Sequence, residues 1–371
     1  MANYTAVDDS SVHFQATTYT GAGTNTTVTN GGNSDLKPDL LWMKNRSAGY
    51  GSMLLNSSVG ISYAQATDFK NADTNPPYME SSSNATENNN QKWIASVNTD
   101  GFTSGISEHT HSNTNSSYIA WQWKANGGTT STNSDGDIDT KVQVNQTAGF
   151  SIVTYSPPNA TARTIGHGLG AVPKLIIIRA RNRTEDWHWF HHSAGTGGWR
   201  GNHQEAHNDN SVLGDALPTS TVYKLGTDFR MNGGFNYVGY FFAEVQGFSK
   251  FGAYIGNAVN GGGPFVYTGF KPALIIIKEE AGTEPWVMYD TARNPHNLTN
   301  KKLSQANVAA ENGLAQLGDG SGVHNTIDIV SNGFKMRSNN GPTNGNGARF
   351  CYMAWAESPF VSSTGVPTTA R

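Results

Sequence analysis

One short pattern occurs three times in this chain. "KPDLLWMK", "VPKLIIIR" and "KPALIIIK" each set an apolar run behind a proline, at Pro38, Pro173 and Pro272. A base follows six residues after each proline, at Lys44, Arg179 and Lys278. Repetition of this kind constrains a fold more than composition does, because each copy must build the same unit. A tyrosine lies 18 or 19 residues before each proline, at Tyr19, Tyr155 and Tyr254. Fourteen residues after the proline, the second and third copies carry Trp187 and Trp286 in "TEDW" and "TEPW", where the first has Ser52. Each copy then has a phenylalanine near a turn (Phe102, Phe229, Phe334) and ends on an aromatic strand, "YIAWQW", "YVGYFF" or "YMAWAE". Tyr118, Tyr237 and Tyr352 mark those last strands.

A copy of roughly 100 to 125 residues is too long for a solenoid repeat of about 20–50. It is the size of a complete β-sandwich. The expectation is an all-β chain of three tandem antiparallel β-sandwich modules of jelly-roll or concanavalin-like type. Module one spans 1–124 and departs most from the shared pattern, which makes it a candidate anchor. A linker covers 125–147, a second module 148–246, and a third, with a short C-terminal tail, 247–371. "KLIII" reads as a central strand whose proline sits at the strand start, where a missing N–H is tolerated. An unbroken apolar run implies burial on both faces, whereas a sandwich strand meets its own core with one. A long insert, a neighbouring module or another subunit must then cover the outer face. Only "NKKLSQANVAAENGL", residues 300–314, has a helical look.

Charged residues make up 14% of the chain, and polarity comes instead from Asn, Thr, Ser and 42 glycines, residues of turns and loops. A net charge of −3 argues against a nucleic-acid-binding face. No apolar stretch approaches the length of a spanning helix, so no membrane insertion is expected. "MANYTAVDDSSVHF" has neither a basic region nor an apolar run, so no export signal is expected. Cys351 is the only cysteine, excludes an intrachain disulfide, and reads as a core residue.

Several residues could carry chemistry. His188, His191 and His192 lie near His203 and His207 in sequence, and a His-x-x-x-His pair can face one way on a helix and bind zinc. The zincin pattern lacks its glutamate after the first histidine, and the third copy has Val287 and Asp290 in place of His188 and His191. His191, His203 and His207 are therefore weak metal candidates beside a structural reading. Asp135, Asp137 and Asp139 alternate in "SDGDIDTK" without the glycine and glutamate of a calcium loop. Glu185 and Glu284 occupy matched places twelve residues past their prolines, but glycoside hydrolysis needs a second carboxylate. No Gly-x-Ser-x-Gly elbow or phosphate loop is present. Trp187, Trp199 and Trp286 could stack on a sugar or a partner, or be buried in their own modules.

"AGFSIVTYSPPNATARTIGHGLGAVPKLIIIRARN", "GYFFAEVQGFSKFGAYIGN", "GPFVYTGFKPALIIIK" and "YMAWAESPF" resemble tandem lectin-like modules of tailed-phage virion proteins, of the marine cyanophage type. The resemblance covers most of residues 100–360. It implies a virion surface protein made in the host cytoplasm, a tail-fibre or capsid-decoration component that docks on other virion proteins, as a homo-oligomer. It implies no catalytic residue and no cofactor. A carbohydrate-binding adhesin for host glycan and a polysaccharide depolymerase are the rival readings.

Overall fold

The computed structural model describes residues 4–59, 76–89, 93–105, 114–208, 214–311 and 326–367. The first repeat holds β1 (Phe14–Thr20), β2 (Thr27–Val28), β3 (Leu40–Asn45) and β4 (Met53–Asn56). It continues with β5 (Met79–Glu80), β6 (Ile94–Val97), β7 (Phe102–Ser104) and β8 (Ser117–Trp123). These form two sheets, ordered β1-β8-β3-β4-β5 and β2-β7-β6. The second repeat has β9 (Ser131–Asn133), β10 (Thr140–Asn145), β11 (Phe150–Tyr155), β12 (Arg163–Gly166) and β13 (Pro173–Ala180). After them come β14 (His188–His191), β15 (Trp199–Arg200), β16 (Val222–Leu225) and β17 (Tyr237–Ala243). Its sheets are β15-β14-β13-β17-β11-β10-β9 and β12-β16. The third has β18 (Ser249–Ile255), β19 (Phe265–Tyr267), β20 (Phe270–Glu279) and β21 (Val287–Asp290), then β22 (Ile327–Val330), β23 (Gly333–Met336) and β24 (Arg349–Pro359). Their orders are β18-β24-β20-β21 and β19-β23-β22. The chain is all-β, and the pairings within these sheets are antiparallel.

The larger sheets share one order: first strand, last strand, proline-led strand, return strand. Register makes the equivalence residue by residue, since Leu40 faces Trp123, Leu175 faces Phe242 and Leu274 faces Trp355. Likewise Tyr19 pairs with Tyr118, Tyr155 with Tyr237, and Tyr254 with Phe350. Those three ring pairs stack at 5.0, 4.9 and 5.2 Å. The third marker of the last strand is therefore Phe350, not Tyr352. Pro173 and Pro272 both sit at register shifts, where a strand tolerates a missing donor.

The doubly buried strands now have a physical account. Leu41 and Met43 face their own repeat's core with Val28, Trp93 and Phe102, and Ile176 and Ile178 face Tyr223, Met231 and Phe241. The alternate residues, Leu40, Trp42, Leu175, Ile177, Leu274 and Ile276, turn the other way into a cluster drawn from all three repeats. A neighbouring repeat covers each outer face. Trp123, Phe242 and Trp355, equivalent by register, meet pairwise at 6.2, 5.3 and 5.4 Å.

The repeats contact one another in a cycle. Glu87 N–H donates to the Arg181 carbonyl (2.8 Å), His207 N–H to that of Glu280 (2.6 Å), and Glu311 N–H to that of Arg46 (2.8 Å). The three acceptors each lie eight residues past their proline, so first docks on second, second on third, and third on first. Such head-to-tail contacts close into a ring when the rotation permits. The repeats are therefore not strung out along an axis.

Two expectations are corrected. Segment 125–147 is not a free linker, because its strands β9 and β10 extend the second repeat's sheet. Residues 300–311 form no helix, and their apolar members Leu303 and Ala306 are buried against the shared cluster. The remainder of that stretch, 312–314, lies outside the described residues.

Candidate functional site

The suspected tryptophans are interior. Trp187, Trp199 and Trp286 are at most 1% exposed, so none offers a ring face to solvent. Trp187 Nε1–H donates to the Glu80 carbonyl of the first repeat (2.8 Å), and Trp286 Nε1–H to the His203 carbonyl of the second (3.1 Å). Trp199 packs edge-on to Trp286 at 5.8 Å. A large ring with one donor suits a dry junction that supplies one carbonyl.

Two of the three bases on the proline-led strands, Lys44 and Arg179, reach across a junction, and the third, Lys278, bonds within its own repeat. Lys44 Nζ donates to the Tyr50 carbonyl (2.8 Å) and to that of Asn307 in the third repeat (3.1 Å). Arg179 donates to the Glu80 and Ala85 carbonyls of the first repeat, its guanidinium 4.9 Å from the centre of the Trp187 ring. Lys278 donates to the carbonyls of Glu279, Gly282 and Glu284. Burial pulls the Lys44 and Lys278 ammonium groups down to about 8.

The histidines do not converge on an ion. His191 occupies the register position of Asn56 and Asp290, opposite Leu175, Leu40 and Leu274 respectively. All three reach the last strand of the next repeat. Asn56 Nδ2 donates to the Tyr240 hydroxyl (3.0 Å), His191 Nε2 meets the Tyr352 carbonyl (3.1 Å), and Asp290 Oδ2 accepts from Trp121 Nε1 (3.1 Å). His191 Nδ1 accepts from the Ser193 N–H at 3.2 Å, which leaves neither ring nitrogen for a metal. His203 pairs with Asp186 (3.2 Å), and His207 packs edge-on to Trp199 at 4.8 Å. No metal-holding group of three ligands occurs among the described residues. His192 lies in a short 3-10 turn, His192–Ala194. Burial drives His188 and His191 down to about 4.

Asp135, Asp137 and Glu185 are committed as well. Asp137 accepts the Thr164 N–H (2.8 Å) and hydroxyl (2.9 Å), tying the segment before β10 to β12, while Asp135 takes the Asn133 amide. Glu185 lies 3.6 Å from Arg183 and 4.0 Å from His188. Burial first, then Glu279, raises the Glu284 carboxyl. Burial pushes the Cys351 thiol up to about 12, far from a nucleophile's range.

What remains open is a groove of about 610 Å³ between the first and third repeats, which no candidate residue from sequence predicted. Ala16, Thr17 and Thr18 of β1 form one wall, with Gly31 beside them. Lys271, Thr291 and Glu357 of the third repeat form the other, Lys271 and Glu357 being ion-paired. A family described as a domain of unknown function, DUF7483, matches residues 9–359. The chain belongs to that family. No curated protein and no solved structure matches it. The DUF7483 match runs from Asp9, ahead of β1, to the end of β24, so the family unit takes in all three repeats and the groove between its ends. The DUF7483 surface also exposes Phe265 and Tyr267, 49% and 54% accessible, side by side on the outer face of β19.

Proposed function

We propose that this protein is a non-enzymatic structural component of a tailed-phage particle, in the tail or on the capsid, acting by docking on other virion proteins and assembling in several copies. Three tandem jelly-roll or concanavalin-like modules, folded in the host cytoplasm, are the finer architecture of this reading. One observation supports it above others: Trp187, Trp286 and His191 are each spent on a backbone carbonyl of a neighbouring repeat, while Asp137, Glu185 and His203 are paired inside their own. A rigid closed scaffold with committed polar groups suits assembly rather than turnover. The sequence resemblance supplies the particle. Peptide mapping of purified particles tests the reading: recovery of this chain supports it, and its absence overturns it. Turnover of host polysaccharide by the purified chain would overturn the non-enzymatic part.

The exposed pair Phe265 and Tyr267 favours a second reading, recognition of a host-surface glycan. Adjacent rings on one strand face can stack on sugar planes. Glycan-array binding lost in Phe265→Ala and Tyr267→Ala supports it; binding unchanged in both variants rejects it.

A further inference from the structure

We propose that the groove between the first and third repeats is a receptor for an extended peptide strand from a partner protein, added to the free edge of β1. The partner strand carries uncharged amide and hydroxyl side chains at alternate positions. The argument comes from comparing the three junctions of the ring.

β1 ends its sheet, with only β8 beside it. Lys124 N–H donates to the His13 carbonyl (3.0 Å) and Gly21 N–H to that of Ser116 (2.9 Å), so the odd-numbered residues of β1 bond β8. The backbones of Phe14, Ala16, Thr18 and Thr20 point the other way. Ala16 and Thr18 therefore turn a ladder of donors and acceptors into the groove, without a backbone partner among the described residues.

Between the first and second repeats the equivalent place is full. Phe150, Ile152 and Thr154 of β11 match Phe14, Ala16 and Thr18, and they pair with Asn145, Gln143 and Lys141 of β10. Gln143 Nε2 donates to the Ser57 and Ser58 hydroxyls (3.0 and 2.6 Å), while Asn145 Nδ2 donates to the Lys124 carbonyl (3.1 Å). Ser57 and Ser58 stand 19 and 20 residues past their proline, as Thr291 and Ala292 of the open groove do past theirs. The same wall and the same edge thus already hold a strand elsewhere in this molecule. Between the second and third repeats the edge is capped instead: Phe251 N–H donates to Glu244 Oε2 (3.4 Å), and the His192–Ala194 turn packs on β18. Among the described residues, only the third junction is left open. Lys271 and Glu357 neutralise one another there, which selects against a charged occupant. Strand addition draws affinity from main-chain bonds and specificity from alternate side chains.

The inference does not depend on a particle location, since any assembly partner could supply the strand. The probe is a synthetic peptide with the sequence of residues 139–147 carrying Asp139→Asn and Lys141→Gln, NTQVQVNQT, added to the full chain beside a scrambled control. Saturable binding is expected, with hydrogen exchange slowed at the Ala16 and Thr18 amides and unchanged at those of Gln15 and Thr17. Ala16→Pro removes one outward donor and should weaken binding about tenfold. Gly31→Phe, at a site where an added Cβ meets nothing within 4 Å, should fill the groove and do the same without loss of folding. Absent binding, binding indifferent to both variants, or peptide that displaces β10 without protecting Ala16 would overturn the proposal. So would a neutral oligosaccharide that occupies the groove in place of the peptide.

Discussion

Asp290 and Arg293 form an ion pair with no exposed side-chain surface, 2.6 Å from Oδ2 to Nε. Arg293 also meets Glu311 at 3.2 Å, and Glu311 meets Arg46 of the first repeat at 2.8 Å. Burial opposes the Glu311 charge, but Arg46 and Arg293 together hold its carboxyl below the usual range. Removing one partner leaves a buried charge uncompensated, so Asp290→Ala should cost about 3–5 kcal/mol in urea unfolding. A second test at this scale is acid. Burial holds His167, His188 and His191 down to about 4, against an ordinary value near 6.5 in the unfolded chain. Unfolding therefore takes up protons between those values. The stability these residues contribute is intact above about pH 6.5 and falls as pH drops towards 4, by of order 3 kcal/mol for each. Urea midpoints at pH 7.5 and 4.5 should differ sharply, and equal midpoints would show these histidines to be charged in the fold.

At the scale of elements, β1 has two chemically different edges. Thr17 bonds β8 and Ala16 does not, so Thr17→Pro should lower the thermal midpoint by several degrees while Ala16→Pro leaves it nearly unchanged. Scanning calorimetry of the two variants checks this. The proline-led strands were legible in sequence because a base and an apolar run at fixed spacing admit one alignment. The last strands were legible too, except for the register of the third. "FCYMAW" carries Phe350 and Tyr352 two residues apart, on one face of β24, and a slip of two preserves the pattern of inside and outside. β9 was hidden because "STN" faces water and looks like a loop, whereas "KVQVN" of β10 reads as a strand whose place in the second repeat's sheet the sequence does not show. The tryptophans failed for another reason: "TEDW" and "TEPW" do not say which repeat will supply the carbonyl that the Trp187 and Trp286 indoles meet.

For the whole molecule, the shared cluster makes the repeats interdependent. Leu175, Ile177, Tyr240 and Phe242 are buried by other repeats as well as their own. A fragment of residues 148–246 would expose them and should fail to give a soluble, cooperatively folded monomer. The full chain should melt in one calorimetric transition rather than three. Sequence could not show the cyclic contact of the repeats, because that contact depends on inserts that differ in length and composition. That closure within one polypeptide has an evolutionary consequence. In a trimer of identical subunits every substitution appears at three interfaces at once, and a change useful at one is imposed on the others. A fused chain escapes that constraint. One junction holds a neighbouring segment of its own backbone, another a carboxylate stopper, and the last keeps an edge strand on which change would be felt nowhere else.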